Sequence, residues 1–420
     1  MKIAIRLTLA QVLRGNVLGS SLVIMTIAAL FSGCSFREIR QQGNYFGNKG
    51  SIQGSVSLAN GKKLPVIVNL YKKESNVLYL TTTAPAAENG EYRLWVEPGT
   101  YLVAAYIDSN SDSSFQPGEM WNFYGKPTDI RVEANQTVML DGFVIAEQSP
   151  GIPSLHVESN LLKAKENIGR VIGLDDPSFT DDSYSMGMWQ PLDFLGQVGG
   201  GLFFLQDFET GKTPIIFVHG INGGPTDFRE LIAQLDRKHY QPWVLYYPSG
   251  IPLEIVRDYF ASAVTTLQNR HHFKKFAVVG HSMGGLVTRS FVKRFVELHP
   301  ERSMDLALVM TINSPLAGLP SAAYGARSPF PVQSWRDLSP GSDFLNDLNG
   351  WKWPRMIPYF LIFSYDNSDS DGIVPLSRQL PLQRQLEAVR IFGFENNHVD
   401  ALKDPSFLRV FTSLLAESLQ

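Results

Sequence analysis

The sequence predicts a two-part molecule: an α/β domain whose mostly parallel sheet is covered by helices on both faces, preceded by a small all-β sandwich. Three observations carry this. From residue 201 onward, apolar strand-like runs alternate with amphipathic helical patterns, and such alternation builds a parallel sheet with helical crossovers. Between residues 50 and 147 the pattern changes to short runs of period two separated by turns, which fits two packed antiparallel sheets. Within the second part, Gly280-His281-Ser282-Met283-Gly284 stands between the apolar run Phe276-Ala277-Val278-Val279 and a helical pattern starting at Leu286, marking a sharp strand-to-helix turn. A chain of 420 residues with 44% hydrophobic and 18% charged residues can bury a large core and carries too few charges for disorder. Its net charge of −3 argues against nucleic acid as a partner.

The amino terminus predicts an export signal. Lys2, Arg6 and Arg14 make a basic start, residues 17–31 are largely apolar, and Phe31-Ser32-Gly33-Cys34 resembles a lipobox, with Phe31 where Leu is usual. Cys34 is the only cysteine, which excludes an internal disulfide framework. The expectation is a bacterial cell-envelope protein, cleaved after residue 33 and lipid-anchored at Cys34. Each buried methylene of such an anchor contributes roughly 0.8 kcal/mol, so several acyl chains hold stably. Ser35, rather than Asp, resembles the outer-membrane sorting pattern. Residues 34–49, rich in Gln, Asn and Gly, then read as a tether.

The sandwich is predicted from runs at 51–56, 66–70, 91–96 and 101–106, with turns such as Glu97-Pro98-Gly99 between them. It resembles the carboxypeptidase-regulatory-like (transthyretin-like) domains and carries no catalytic constellation, so it reads as a spacer or binding module. Its segment 108–119 places Asp108, Asn110, Asp112 and Glu119 at loop positions 1, 3, 5 and 12, the arrangement that wraps a hard cation such as calcium. Ser113 stands where glycine is expected, and no helices flank the loop. A cation there would be structural.

Residues 148–200 read as a linker and packing segment, with helical spacing over 159–172 and a loop over 186–191. The α/β domain follows. Strands are predicted over 214–218, 243–247, 276–279, 357–363 and 388–392, and helices over 230–237, 253–269 and 286–298. Trp243, Tyr246 and Tyr247 are core aromatics by the commoner reading and line an acyl pocket by the rarer one. Residues 316–350 interrupt the alternation and are long for a connection. They are either a lid, with Phe330, Trp335, Phe344 and Leu345 as its apolar underside, or a packed excursion.

Ser282 is the candidate nucleophile, because small residues two before and two after it let strand and helix approach closely around a strained serine. Such a serine needs a base. His281 is adjacent and expected to face away, His271 and His272 precede the strand, His239 and His299 sit in helix-end turns, and His156 precedes the domain. His219 only shapes its own loop in this reading. His398, just after the last strand-like run, remains. Behind the preceding strand, residues 364–375 offer three aspartates. Asp371 is favoured as acid because Gly372 gives a turn and Ile373-Val374 an apolar anchor; Asp366 is the alternative. Oxyanion donors are expected from the N–H groups of Met283 and of Ile221, which lies in the glycine-rich turn His219-Gly220-Ile221-Asn222-Gly223-Gly224. That turn lacks both phosphate-binding glycine patterns. No cofactor is expected for catalysis.

These motifs, with Thr311-Ile312-Asn313-Ser314-Pro315, Asp371-Gly372-Ile373-Val374-Pro375 and Asn397-His398, resemble the α/β-hydrolase lipases. The likeness is particularly to the branch holding GPI inositol-deacylase-like and bacterial lipase-like proteins. The resemblance runs from about residue 201 to the end. It implies an α/β-hydrolase fold and the chain order Ser, acid, His, with Ser282 as nucleophile, Asp371 as acid, His398 as base, and Ile221 with Met283 as oxyanion hole. It also implies hydrolysis of lipid or lipophilic carboxylic esters through an acyl-enzyme. Acyl transfer or thioester cleavage would use the same machinery. A non-catalytic envelope binding protein on the same fold is the alternative of a different class.

Overall fold

The computed structural model describes residues 33–74, 77–116, 118–146, 155–157, 167–328, 332–366 and 368–419. Residues 17–31 and Phe330, both singled out above, lie outside these.

Among the described residues, the stretch 33–157 holds one helix and otherwise strands and turns. Strands β1 (Gly50–Leu58), β4 (Glu91–Val96), β8 (Thr137–Met139) and β9 (Phe143–Ile145) form one sheet. Strands β2 (Val66–Glu74), β3 (Val77–Pro85), β5 (Gly99–Ile107), β6 (Trp121–Phe123), β7 (Ile130–Val132) and β10 (Leu155–Val157) form the other. Alternation explains the packing. Ile52, Val56, Leu94 and Val96 from the first sheet meet Val68, Leu70, Val103 and Ala105 from the second in one buried core.

Seven strands make the third sheet: β11 (Gly201–Phe204), β12 (Thr213–Val218), β13 (Tyr240–Tyr246), β14 (Phe276–His281), β15 (Leu306–Ile312), β16 (Tyr359–Tyr365) and β17 (Arg390–Glu395). Their order is β11-β13-β12-β14-β15-β16-β17, with β11 antiparallel and the rest parallel. The helices are α1 (Gly33–Gly47), α2 (Asp181–Trp189), α3 (Pro191–Gln197), α4 (Arg229–Ala233), α5 (Leu253–His271) and α6 (Met283–Leu298), then α7 (Pro320–Gly325), α8 (Gln333–Leu338), α9 (Asp343–Gly350), α10 (Leu376–Gln379), α11 (Leu382–Glu387) and α12 (Pro405–Leu419). One face of the sheet is covered by α5 and α6 through Val256, Phe260, Val287 and Phe291. The other takes α12 and α4 through Phe407, Phe411 and Leu231. A sheet buried on both faces explains why its strands read as nearly unbroken apolar runs.

Three expectations need correction. The run expected as a tether forms α1, because Ile39, Gln42 and Phe46 recur at helical spacing and are all buried. Gln42 accepts from the Leu192 N–H at 3.0 Å and donates to Asp193 at 2.7 Å, while Gln333 donates to the Gly43 carbonyl at 2.9 Å. The loop expected over 186–191 is largely helix α2, started by the Thr180 side chain accepting from the Ser183 N–H. Of the helix expected over 159–172, residues 158–166 lie outside the described residues, and Val171 instead bridges to Phe204 in extended form. Trp243, Tyr246 and Tyr247 are all buried in the core, as the commoner reading of them expects.

The excursion 316–350 is packed. Leu338, Phe344, Leu345 and Leu348 belong to the main core, and Asp337 accepts the N–H of Leu253, the first residue of α5, at 2.7 Å. Burial pushes the Asp337 carboxyl up to about 7. The two halves of the molecule meet at Asp258, which accepts from Trp95 of β4 at 2.7 Å and lies 3.7 Å from Arg93. Burial raises the Asp258 pKa, but Arg257, Arg294 and Arg93 outweigh it and hold the carboxyl below its usual range.

Candidate active site

Strand order places the site. From β12 the chain steps to β13 on one side and then to β14 on the other, so the loops after β12 and β14 diverge and leave a crevice at their carboxyl ends. Register brings five loop starts to one edge, since Val218 pairs with Gly280, Gly280 with Thr311, Ile312 with Ile362 and Tyr365 with Glu395.

Ser282 occupies the turn between β14 and α6 with φ 56° and ψ −129°, a conformation that costs an L-residue on the order of 1–3 kcal/mol. The surroundings enforce it. Its N–H donates to the Ile312 carbonyl at 2.8 Å, and its own carbonyl accepts from Gly285 at 3.0 Å. A Cβ on Gly280 would stand 2.5 Å from the Gly284 carbonyl oxygen, and one on Gly284 would strike the Val218 carbonyl. The small residues flanking Ser282 therefore have the steric cause that the sequence suggested. Met283 is the first residue of α6, where helix geometry leaves its N–H without an intrahelical acceptor.

Opposite lies the loop 219–224. A Cβ on Gly220 would stand 2.8 Å from Cβ and 3.3 Å from Oγ of Ser282, so this backbone passes directly beside the serine. Three residues hold it. Nδ1 of His219 donates to the Gly220 carbonyl at 2.8 Å, Ser249 Oγ accepts from the Asn222 N–H at 3.0 Å, and Asp227 accepts from the Gly224 N–H at 3.0 Å. Ile221 sits between these fixed points. His219 also accepts at Nε2 from the Tyr247 N–H at 3.3 Å. With a carbonyl on one nitrogen and an N–H on the other, its tautomer is fixed, and burial pulls its pKa down to about 4. It is a neutral support for the loop, and burial likewise pushes Asp227 up to about 6.

Asp371 and His398 come together from separate loops. Nδ1 of His398 lies 2.6 Å from Oδ2 of Asp371, and the His398 N–H donates to the Asp371 carbonyl at 2.9 Å. The other carboxylate oxygen accepts from the Ile373 and Val374 N–H groups at 2.9 and 2.6 Å. This turn is the anchor expected of Gly372-Ile373-Val374. Ser282, Asp371 and His398 are 8%, 1% and 5% exposed, so water is largely excluded around all three. Asp366, the alternative, lies before Asp371 in the same loop, its N–H on the Ser370 carbonyl at 2.8 Å, while the imidazole goes to Asp371.

His281 does not simply face away from the serine. Its ring lies 4.9 Å from that of His398, and its Nε2 donates to the His398 carbonyl at 3.0 Å. Asn313, at φ 50°, donates to the same oxygen at 3.0 Å. Sequence reasoning assigned no role to either, nor to Ser249 and Asp227. His281 and Asn313 stand inside motifs already singled out, which was the signal available for them, whereas Asp227, three positions past Gly224, and Ser249 carried none.

The calcium arrangement is not what the loop 108–119 forms. Asp108 accepts from the N–H groups of Asp112 and Ser113, each at 3.1 Å, and Glu119 from those of Ser109 and Gln116 at 3.1 and 2.9 Å. Asn110 donates to Asp112 at 2.9 Å. The carboxylates are spent on their own loop, and among the described residues no group of three or more His, Cys, Asp or Glu is placed to hold a metal ion. Cys34 is the second residue of α1, and its side chain lies outside what is described.

Residues 255–389 match the family model described as "Alpha/beta hydrolase of unknown function (DUF915)". The fold is that of an α/β hydrolase. No curated protein matches the chain. Among solved structures, the hydrolase-fold half is similar to Bacillus licheniformis lipase BlEst2, at 18% identity over 49% of this chain and 93% of that one, with a TM-score of 0.39. It is also similar to Paleococcus ferrophilus monoacylglycerol lipase, at 18% identity, 50% and 96% coverage and a TM-score of 0.36. Phospholipase PlaB from Legionella pneumophila is 20% identical over 40% of this chain and 44% of that one, with a TM-score of 0.33.

Proposed function

We propose that this chain is a serine hydrolase that cleaves carboxylic esters of lipid or lipophilic type. The observation that carries the reading is the buried His398–Asp371 pair, 2.6 Å between Nδ1 and Oδ2, joined through the His398 carbonyl to the residue preceding a strained Ser282. In this mechanism Nε2 of His398 takes the proton of Ser282 as Oγ attacks the ester carbonyl. The Ile221 and Met283 N–H groups receive the oxyanion, each worth a few kcal/mol of transition-state stabilisation. His398 then gives its proton to the leaving alcohol, and an acyl group remains on Ser282. Water, deprotonated by the same imidazole, attacks the acyl-enzyme and frees the acid and the serine. Asp371 holds the imidazole with Nδ1–H toward itself and stabilises the cation that forms. The lipophilic substrate class rests on the motif resemblance to lipases.

The proposal includes a lipid anchor on Cys34 and a place in the bacterial cell envelope, at the outer membrane, on the strength of the apolar run and lipobox-like sequence before it. Among the described residues no helix is long and apolar enough to cross a membrane.

The test is fluorophosphonate labelling of the purified protein with peptide mapping. Labelling confined to Ser282 and abolished by Ser282→Ala and His398→Ala supports the reading, and no labelling of the folded protein overturns it. Turnover of p-nitrophenyl esters graded in chain length then tests the substrate class, since a lipophilic preference requires kcat/KM to rise with chain length. Labelled palmitate incorporated by the wild type and lost in Cys34→Ala tests the anchor.

A further inference from the structure

His398 is held at three points, and two of them belong to the acid loop: its ring Nδ1 on the Asp371 carboxylate and its N–H on the Asp371 carbonyl. The third is its carbonyl oxygen. An sp² oxygen has two lone-pair directions, and here both are taken by side-chain donors, His281 Nε2 at 3.0 Å and Asn313 Nδ2 at 3.0 Å. The donors come from the ends of neighbouring strands β14 and β15, on the nucleophile's side of the crevice. We propose that His281 and Asn313 are positioning residues that clamp the backbone of His398 to the nucleophile's strand, so that the distance between base and serine is set from the Ser282 side as well as from Asp371.

Two features separate this clamp from ordinary core packing. His281 is only 4% exposed, and an imidazole used merely to fill space would be desolvated there for no return, whereas its N–H satisfies a buried carbonyl. Burial keeps that imidazole neutral, with His398 adding to the effect, and draws its pKa down to about 3. It therefore donates at every working pH without titrating beside the base. Asn313 is fully buried and stands at φ 50° with its N–H on the Ile362 carbonyl, a left-handed backbone that Asn tolerates better than most residues. The amide is thus aimed from a strained position. His281 and Ser282 share a peptide bond, so any shift of the base's carbonyl is referred directly to the nucleophile.

The inference rests on the reading of Ser282 as nucleophile and His398 as base, and the experiment keeps the two apart. The second-order rate constant for fluorophosphonate labelling, and kcat and KM on a p-nitrophenyl ester, are measured for the wild type, His281→Phe, His281→Gln and Asn313→Gly. The glutamine keeps an N–H donor; the glycine relieves the backbone strain while removing the donor. A loosened base costs geometry in the transition state, so His281→Phe lowers kcat and the labelling rate together by about 10- to 100-fold with KM within about twofold. His281→Gln recovers most of that loss, and Asn313→Gly lowers kcat about 10-fold at unchanged Tm. Folded variants with wild-type kcat overturn the clamp, as does an equal loss in His281→Phe and His281→Gln, which would assign the effect to shape. Should His281→Phe not fold, His281→Gln and Asn313→Gly decide by the same criteria. Wild-type protein that folds but does not label overturns the underlying reading instead.

Discussion

Two loops of this molecule have nearly the same composition and opposite uses. Residues 108–119 and 364–375 are both rich in Asp and Ser, both follow a buried strand, and both contain a buried aspartate, Asp108 at 2% and Asp371 at 1% exposure. In the first, each carboxylate is satisfied by N–H groups of its own loop, and the result is a turn that seats Phe115 edge-on against Tyr106 and Trp121, ring centroids 5.4 and 6.1 Å away. In the second, one carboxylate oxygen takes the local N–H groups and the other is left for an imidazole 27 residues away. The difference lies in the partner. A carboxylate closed on itself ends as structure, and one with an oxygen to spare can orient chemistry elsewhere.

The sharpest way to break that comparison is Asp371→Asn. The amide still accepts from Ile373 and Val374 through one oxygen, but it presents an N–H₂ to Nδ1 of His398 and favours the wrong tautomer. The expected outcome is a fall in kcat of about 10⁴-fold with little loss of stability. Asp108→Asn, the matching change in the other loop, is expected to leave kcat within about twofold, because nothing across the crevice depends on it. Steady-state kinetics on one ester, with thermal melts of both variants, checks the pair.

The same contrast explains what the sequence disclosed. The elbow was legible because its cause is local sterics: Gly280 and Gly284 are demanded by backbone atoms within a few residues or one strand away. Strand and helix order was legible because a sheet buried on both faces writes itself as apolar runs. Asp371 was preferred over Asp366 on the turn that follows it, and the structure brings Asp371 to His398 by that turn. What remained hidden depends on long-range partners. Neither the docking of α1 nor the clamp on His398 could be inferred from a neighbour in sequence, since Gln42 meets residues about 150 positions away and His281 meets His398 at 117. The calcium expectation rests on ligand spacing, which says nothing about whether the oxygens point inward or back at the loop.

Acid titration sharpens the comparison at a smaller scale. The crevice edge of the sheet stands over buried neutral histidines, His219 and His281, whose pKa values burial lowers from 6.5 to about 4 and about 3. Lowered folded-state values mean the unfolded chain binds protons more readily. The stability they contribute is present above pH 6.5 and is lost as pH falls from there through about 4 and 3, by an amount on the order of a few kcal/mol. In the loop 108–119 burial instead raises the Asp108 pKa. That group's contribution runs the opposite way and is lost as pH rises through its folded value. Hydrogen exchange between pH 7 and 5 should therefore show the hydrolase half losing protection while the sandwich holds. A sandwich that opens first would reverse the assignment.

Phe115→Ala tests whether the sandwich loop exists to seat its ring. Removing a half-buried ring from two edge contacts should lower stability by about 1–2 kcal/mol and leave ester turnover unchanged. A larger loss would mean that the loop holds together more than one sheet face.

The smallest effect expected is that of calcium. An ion entering the loop 108–119 would have to draw Asp108, Asp112 and Glu119 away from backbone N–H groups that already satisfy them, and would gain from hard-cation coordination only what that rearrangement does not consume. Millimolar calcium should leave Tm within about 1 °C of its value in chelator. A rise of several degrees, abolished by Asp112→Asn, would break the comparison at its base, because both loops would then hold a carboxylate reserved for something other than themselves.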